Sequence, residues 1–261
     1  MPVRRFGRPS SNTAMGLATV LSMLWGLSCA AEDAADAWRE LKGKHFIIYS
    51  QDDSVASRAV LHQAEAYYDS IVKKLGFKRL DNFWLWERRA KIKLYASHHA
   101  FIQAAKAPAW AVAKASVRSR TIEGFGSSAL FLKSRLPHEL AHLIFREYIG
   151  FTGTIPLWLD EGVAQWCEQG DHQASVRPMR EWIPLQTLTS MSVRQNQDAH
   201  RVRLFYNESA SLVQYLVESY GRDRFSKFCR QLRDGKTLDG ALRFTYPKSI
   251  SSMVALEQQW S

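Results

Sequence analysis

Three cysteines and eight prolines in 261 residues are too few for a disulfide scaffold or a proline-rich linker protein. No internal repeat and no low-complexity tract interrupts the chain, which excludes solenoids and most disordered architectures. Beyond residue 30 no apolar run is long enough to cross a bilayer, so a polytopic membrane protein is disfavoured. Nor is there a Lys/Arg run interleaved with aromatics of the kind that lines a nucleic-acid groove. What remains is a chain with 46% hydrophobic residues and nine tryptophans, enough to bury a substantial core.

The first thirty residues differ from the rest. Arg4, Arg5 and Arg8 precede an uncharged run from about Met15 to Leu27, and small residues follow. That order is expected of a secretory signal peptide over residues 1–30, with Ser28 and Ala30 at the cleavage spacing and a mature start near Ala31. Leu27-Ser28-Cys29 also loosely resembles a lipoprotein cleavage site, so membrane attachment is expected only if Cys29 is lipidated. Export to the periplasm, cell envelope or extracellular space follows. The mature part carries 32 basic against 25 acidic residues, and its formal charge of +7 favours anionic surroundings. Its two cysteines, Cys167 and Cys229, could pair in an oxidising compartment or serve as two buried thiols.

Hydrophobic periodicity divides the mature chain into two halves. HFIIYS (45–50) and KIKLYAS (91–97) read as strands, and Val60, Ala64, Tyr67, Ile71 and Leu75 recur at helical spacing before Gly76. A short helix is expected over 101–106, and further strands over 115–125 and 129–132, separated by a turn at Gly124 and Gly126. From Leu136 the pattern is helical: LPHELAHLIFREYIG and PLWLDEGVAQWCEQG each open with proline and close with glycine. Residues 170–203 read as loops with one or two short elements. Helices are expected over 207–220, 223–233 and 251–260. The fold class is therefore α+β, a small N-terminal α/β layer followed by a mainly helical half, with 31–261 as one domain.

His138-Glu139-Leu140-Ala141-His142 sets two imidazoles at i and i+4, one turn apart on one helix face, where both can reach a single ion. Glu139, beside them, is placed to stay off the ion and take a proton from the attacking water. Eighteen residues separate His142 from Glu161 in Trp158-Leu159-Asp160-Glu161-Gly162. A helix, a reversal and a return helix fit that separation, so Glu161 can supply a third ligand and leave a fourth position open. His98 and His99 are adjacent and diverge, while His45, His62 and His172 have no ligand spacing to one another. His200 could approach from the chain before Tyr206. Arg194, Arg201 and Arg203 suit either a groove for acidic substrates or a solvated face.

HELAH followed eighteen residues later by the glutamate of WLDEGVA resembles the gluzincin metallopeptidases, in particular the peptidase MA-like proteins and the aminopeptidase N family. The likeness is close over 136–168 and looser around HFIIYS and YNESASLVQYLVESYG. It implies a zincin-like fold, one Zn2+ per chain held by His138, His142 and Glu161, Glu139 as general base, and a peptide or protein substrate. It also places Tyr206 where the peptidase MA-like pattern has a tyrosine, whose phenol could donate to a developing oxyanion. Asp160 is a candidate for orienting a ligand histidine. The segment with which aminopeptidase N relatives capture a free amino terminus is absent, since no methionine lies between Met23 and Met179; an endopeptidase is the better expectation. The alternatives are a catalytically weak or inactive zinc-binding module acting as an envelope binding or scaffolding protein, and a helical envelope protein in which HExxH arose by chance. Gln165 replaces the thermolysin-like aspartate four residues beyond the glutamate.

Overall fold

The hydrophobic alternation of the N-terminal half builds a five-stranded sheet in the computed structural model, which describes residues 38–51, 54–77, 84, 88–125, 128–150, 155–168, 181–193 and 198–260. The chain divides into Met1–Trp38 and a body spanning Arg39–Ser261. The signal-peptide segment, Cys29, His172 and Arg194 lie outside the described residues.

Strands β1 (Arg39–Lys42), β2 (Phe46–Ser50), β3 (Ala90–Tyr95), β4 (Ala113–Ser116) and β5 (Thr121–Phe125) lie in the order β1-β2-β3-β5-β4. The central three run parallel and the two outer strands antiparallel to their neighbours. Ile48, Ile92 and Ile122 stand in register across β2, β3 and β5 and are fully buried. Lys91 and Lys93 take the opposite face of β3, as the period of two requires. Helix α1 (Ser54–Leu75) connects β2 to β3 and packs Val60, Ala64, Ile71 and Leu75 into the core. Tyr67 of the expected stripe is only partly buried. Helix α2 (His98–Ala105) is capped by the Ser97 hydroxyl, which accepts from the Ala100 N–H at 3.2 Å.

Two strand expectations need correction. Residues 115–125 form not one strand but parts of β4 and β5, turned at Arg120 with φ of 49°. Residues 129–132 are helical: Ala129 and Leu130 start a turn that runs into a π-helical segment, Phe131–Arg135. Ser128 decides the matter, because its hydroxyl caps the Phe131 N–H at 3.2 Å and its carbonyl accepts from the Leu132 N–H at 3.2 Å. Gly124 is a strand residue rather than a turn. A Cβ there would lie 2.6 Å from the Phe131 ring, so the missing side chain admits the phenyl group that seats the π-helical turn on the sheet.

Helices α3 (Leu136–Ile149) and α4 (Leu157–Glu168) follow. Pro137 sits in the first turn of α3, and Gly150 ends it with φ of 91°. Helix α5 (Leu185–Ser190) lies in the segment expected to be mostly loop. Helix α6 (Ala199–Tyr220) begins eight residues before the expected start, because Asp198 caps the N–H groups of His200 and Arg201. Helices α7 (Arg222–Arg233) and α9 (Met253–Trp260) match expectation closely, whereas α8 (Leu238–Thr245), capped by Thr237, was not foreseen. Among the described residues no helix is long and apolar enough to cross a membrane.

The main core brings together residues of the sheet, α1, α3, α4 and α6, with α7, α8 and α9 adding to it. Helices α4 and α6 approach closely at Gly162, where an added Cβ would stand 2.4 Å from the Ser209 carbonyl oxygen. Only glycine lets the two backbones meet there. Glu208, on α6, is fully buried and accepts the Ile183 N–H at 2.7 Å. Burial lifts its carboxyl to about 7, against the pull of that hydrogen bond. Cys167 and Cys229 are both buried and free, as two apolar thiols. Burial pushes the Cys167 thiol up to about 12.

Candidate metal centre

Helical spacing brings His138 and His142 onto one face of α3, and α4 returns past that face to present Glu161. His138 Nε2 and His142 Nε2 are 3.2 Å apart. Glu161 Oε2 lies 3.8 Å from the first and 3.7 Å from the second. Donors around a tetrahedral ion with bonds of about 2.0–2.1 Å stand about 3.3 Å from one another, so the three separations fit one small cation. Two imidazoles and a carboxylate are also the donor chemistry that zinc accepts. Among the described residues this is the one group of histidine, cysteine or carboxylate side chains that converges in this way.

The outer nitrogens explain why the inner ones face each other. His142 Nδ1 donates to Asp160 Oδ1 at 3.2 Å, and His138 Nδ1 to Glu168 Oε2 at 3.0 Å. With a carboxylate at each Nδ1, the two Nε2 atoms and a carboxylate oxygen face one another, an arrangement that calls for a positive charge between them, a cation or a proton. The electrostatics agree. Burial alone would hold the His142 imidazole down, but the Asp160 hydrogen bond and the charges of Asp160, Glu161 and Glu139 push it up to about 9. Burial raises the Glu161 carboxyl, with the two histidines opposing it and Asp160 and Glu139 adding to it.

Asp160 is itself held. Arg146 donates to its Oδ2 from Nε at 3.0 Å and from Nη2 at 2.7 Å. Arg146 stands four residues after His142, so one face of α3 carries both the imidazole and the cation that fixes its carboxylate partner. Desolvation opposes ionisation of Asp160, yet His142 and Arg146 together hold its carboxyl below the usual range. Asp160 also sits in the first turn of α4, where the helix macrodipole favours a carboxylate.

Glu139 and Tyr206 are half-buried and electrostatically coupled to the same cluster. Burial, then Glu161 and Glu139, push the Tyr206 phenol up to about 12, with Arg135 opposing. It stays an O–H donor across the neutral range. Tyr206 lies within α6 rather than before it, because the helix starts at Ala199. Of the other histidines, His45 is buried against Tyr68 with ring centroids 4.0 Å apart and meets Glu65 Oε2 at 2.6 Å. His62, His98, His99 and His200 are exposed, as are Arg201 and Arg203. Glu168 was missed in the sequence. Its one available signal is a spacing of two helical turns from Glu161, and that means little until the partner helix is in place.

A mixed α+β body with two imidazoles and a carboxylate converging from facing helices is a candidate metal-dependent hydrolase. The family model of the Peptidase MA superfamily matches residues 91–261, from β3 to the C-terminal helices, and the chain belongs to that superfamily. Membership makes it a peptidase-like protein. Strands β1 and β2 and helix α1 precede the match, although HFIIYS was part of the looser resemblance. No curated protein matches the chain.

Proposed function

We propose that this protein is an exported zinc endopeptidase of the gluzincin type, with His138, His142 and Glu161 as metal ligands. The observation that carries the reading is the convergence of His138 Nε2, His142 Nε2 and Glu161 Oε2 on one point, with both outer imidazole nitrogens tied to carboxylates. Zinc held there supplies a Lewis acid that polarises the scissile carbonyl and brings the pKa of water towards neutrality.

The chain's own residues do the rest. Glu139, next to His138 but outside the converging set, takes the proton of the attacking water and returns it to the leaving amine. Tyr206 donates its phenolic hydrogen to the oxygen on which charge develops. His138 and His142 keep their Nδ1 hydrogens on Glu168 and Asp160, so their lone pairs stay aimed inward. Strand β4 is paired on one side only among the described residues, which leaves backbone donors and acceptors for an extended peptide. That edge, together with the missing amino-terminus capture segment, favours internal cleavage of polypeptides. Residues 1–30 direct export, and lipid on Cys29 would add an envelope anchor.

The test is hydrolysis of an unfolded polypeptide such as casein by the mature chain from Ala31. Activity should disappear on dialysis against a zinc chelator and return with stoichiometric zinc. Hydrolysis that survives complete chelation would rule the proposal out.

A further inference from the structure

We infer that Glu168 is a positioning residue that fixes the ring of His138, so that α4 supplies both a metal ligand and the clamp on a ligand from the facing helix. The inference rests on the metal-centre reading above. Glu168 stands seven residues after Glu161, two turns along the same face of α4. Its Oε2 accepts from His138 Nδ1 at 3.0 Å, and its Oε1 accepts from the Ser134 hydroxyl. Arg135 Nη1 stands 3.8 Å from Oε2. With 13% of its side chain exposed, the carboxylate is engaged on both oxygens and largely shielded from water.

The local sequence explains how this clamp is assembled. Ser134 and Arg135 belong to the π-helical turn Phe131–Arg135 that runs directly into α3. Ser134 lies four residues before His138, on the same face and one turn earlier. The hydroxyl and the imidazole therefore approach one carboxylate from adjacent turns, and each takes one of its oxygens. A neutral imidazole has one N–H, and a carboxylate can only accept. Placing Glu168 at Nδ1 thus commits Nε2 to carry the lone pair that faces His142 and Glu161.

A parallel device on the other ligand supports this assignment. His142 Nδ1 meets Asp160, and Asp160 is gripped by Arg146. Each imidazole has its own carboxylate, and each carboxylate has a basic residue beside it. The Arg146 contact is direct at 2.7 Å, whereas that of Arg135 is longer at 3.8 Å, so Ser134 carries more of the restraint on Glu168.

The experiment measures zinc affinity of the mature chain by competition with a chromophoric chelator, for wild type, Glu168→Ala and Glu168→Gln. Alongside it, long-range nitrogen–proton correlation spectra report which nitrogen of His138 carries the hydrogen. Glu168→Ala should bind zinc about 10–100-fold more weakly and show a mixture of His138 tautomers before loading. Glu168→Gln keeps the shape and one accepting oxygen, so it should lose less, and it serves if the alanine variant does not fold. Unchanged zinc affinity and an unchanged His138 tautomer in both variants would overturn the inference and leave the metal centre standing. No zinc bound by wild type would overturn the metal centre and this inference together.

Discussion

Glu139→Gln lowers peptide hydrolysis by about 10²–10⁴-fold, the usual contribution of a placed general base, and leaves zinc binding intact. Glutamine matches glutamate in shape and fills the same half-buried position beside His138, but its amide cannot take a proton from water. Glu139 lies outside the three converging donors, which is why metal content should hold. It does contribute negative charge to His142 and Glu161, so a small change in zinc affinity is consistent with the account. Activity equal to wild type, measured on chains of equal zinc content, would remove Glu139 from the mechanism. Loss of zinc in step with loss of activity would recast it as a ligand.

Asp160→Ala should damage stability and metal binding together. Its carboxylate is the shared acceptor of His142 Nδ1 and the Arg146 guanidinium, and the residue is buried. Removing the carboxylate leaves Arg146, whose side chain is 23% exposed, and the His142 N–H without their acceptor, at a cost of about 1–3 kcal/mol. Losing the carboxylate behind a ligand histidine weakens zinc by about 10–100-fold. Denaturant unfolding and chelator competition on the same preparations separate the two effects. Asp160→Asn keeps an oxygen for the Nδ1 hydrogen while losing the charge that Arg146 requires, so it should retain more zinc affinity than stability. An alanine variant as stable as wild type would show that water replaces the carboxylate and that the Arg146 pair carries no weight.

The candidate metal-site residues were the most legible part of the sequence, because their spacing is set by one helix. His138 and His142 must share a face whatever the rest of the chain does, and a return helix brings Glu161 opposite them. Glu168 was invisible for the complementary reason. Its partner is on another helix, and its meeting with His138 depends on how α3 and α4 cross and on the π-helical turn that carries Ser134. Asp160 fell between the two cases, foreseen as a candidate but without Arg146.

The fold was legible where the pattern was long. The period of two in Lys91–Tyr95 and the helical stripe of α1 both became what they promised. Errors arose where short apolar runs suit either state. Residues 129–132 became helical through a single serine cap and a glycine across the sheet, neither of which is a periodic signal. The early start of α6 likewise follows from Asp198, whose capping overrides the polar character of the first turns. Gly162 carried no local signal, since its role is set by the approach of Ser209 from α6.

Three side chains on two facing helices should hold one zinc ion. Elemental analysis of the mature chain, beside His138→Ala and Glu161→Ala after equilibration with zinc and removal of excess, tests it most directly. About one zinc per wild-type chain and a marked loss in both variants are expected, because each variant removes one of three converging protein donors. A wild-type chain that is folded and zinc-replete in handling yet binds none, or variants that retain the full equivalent, would contradict it.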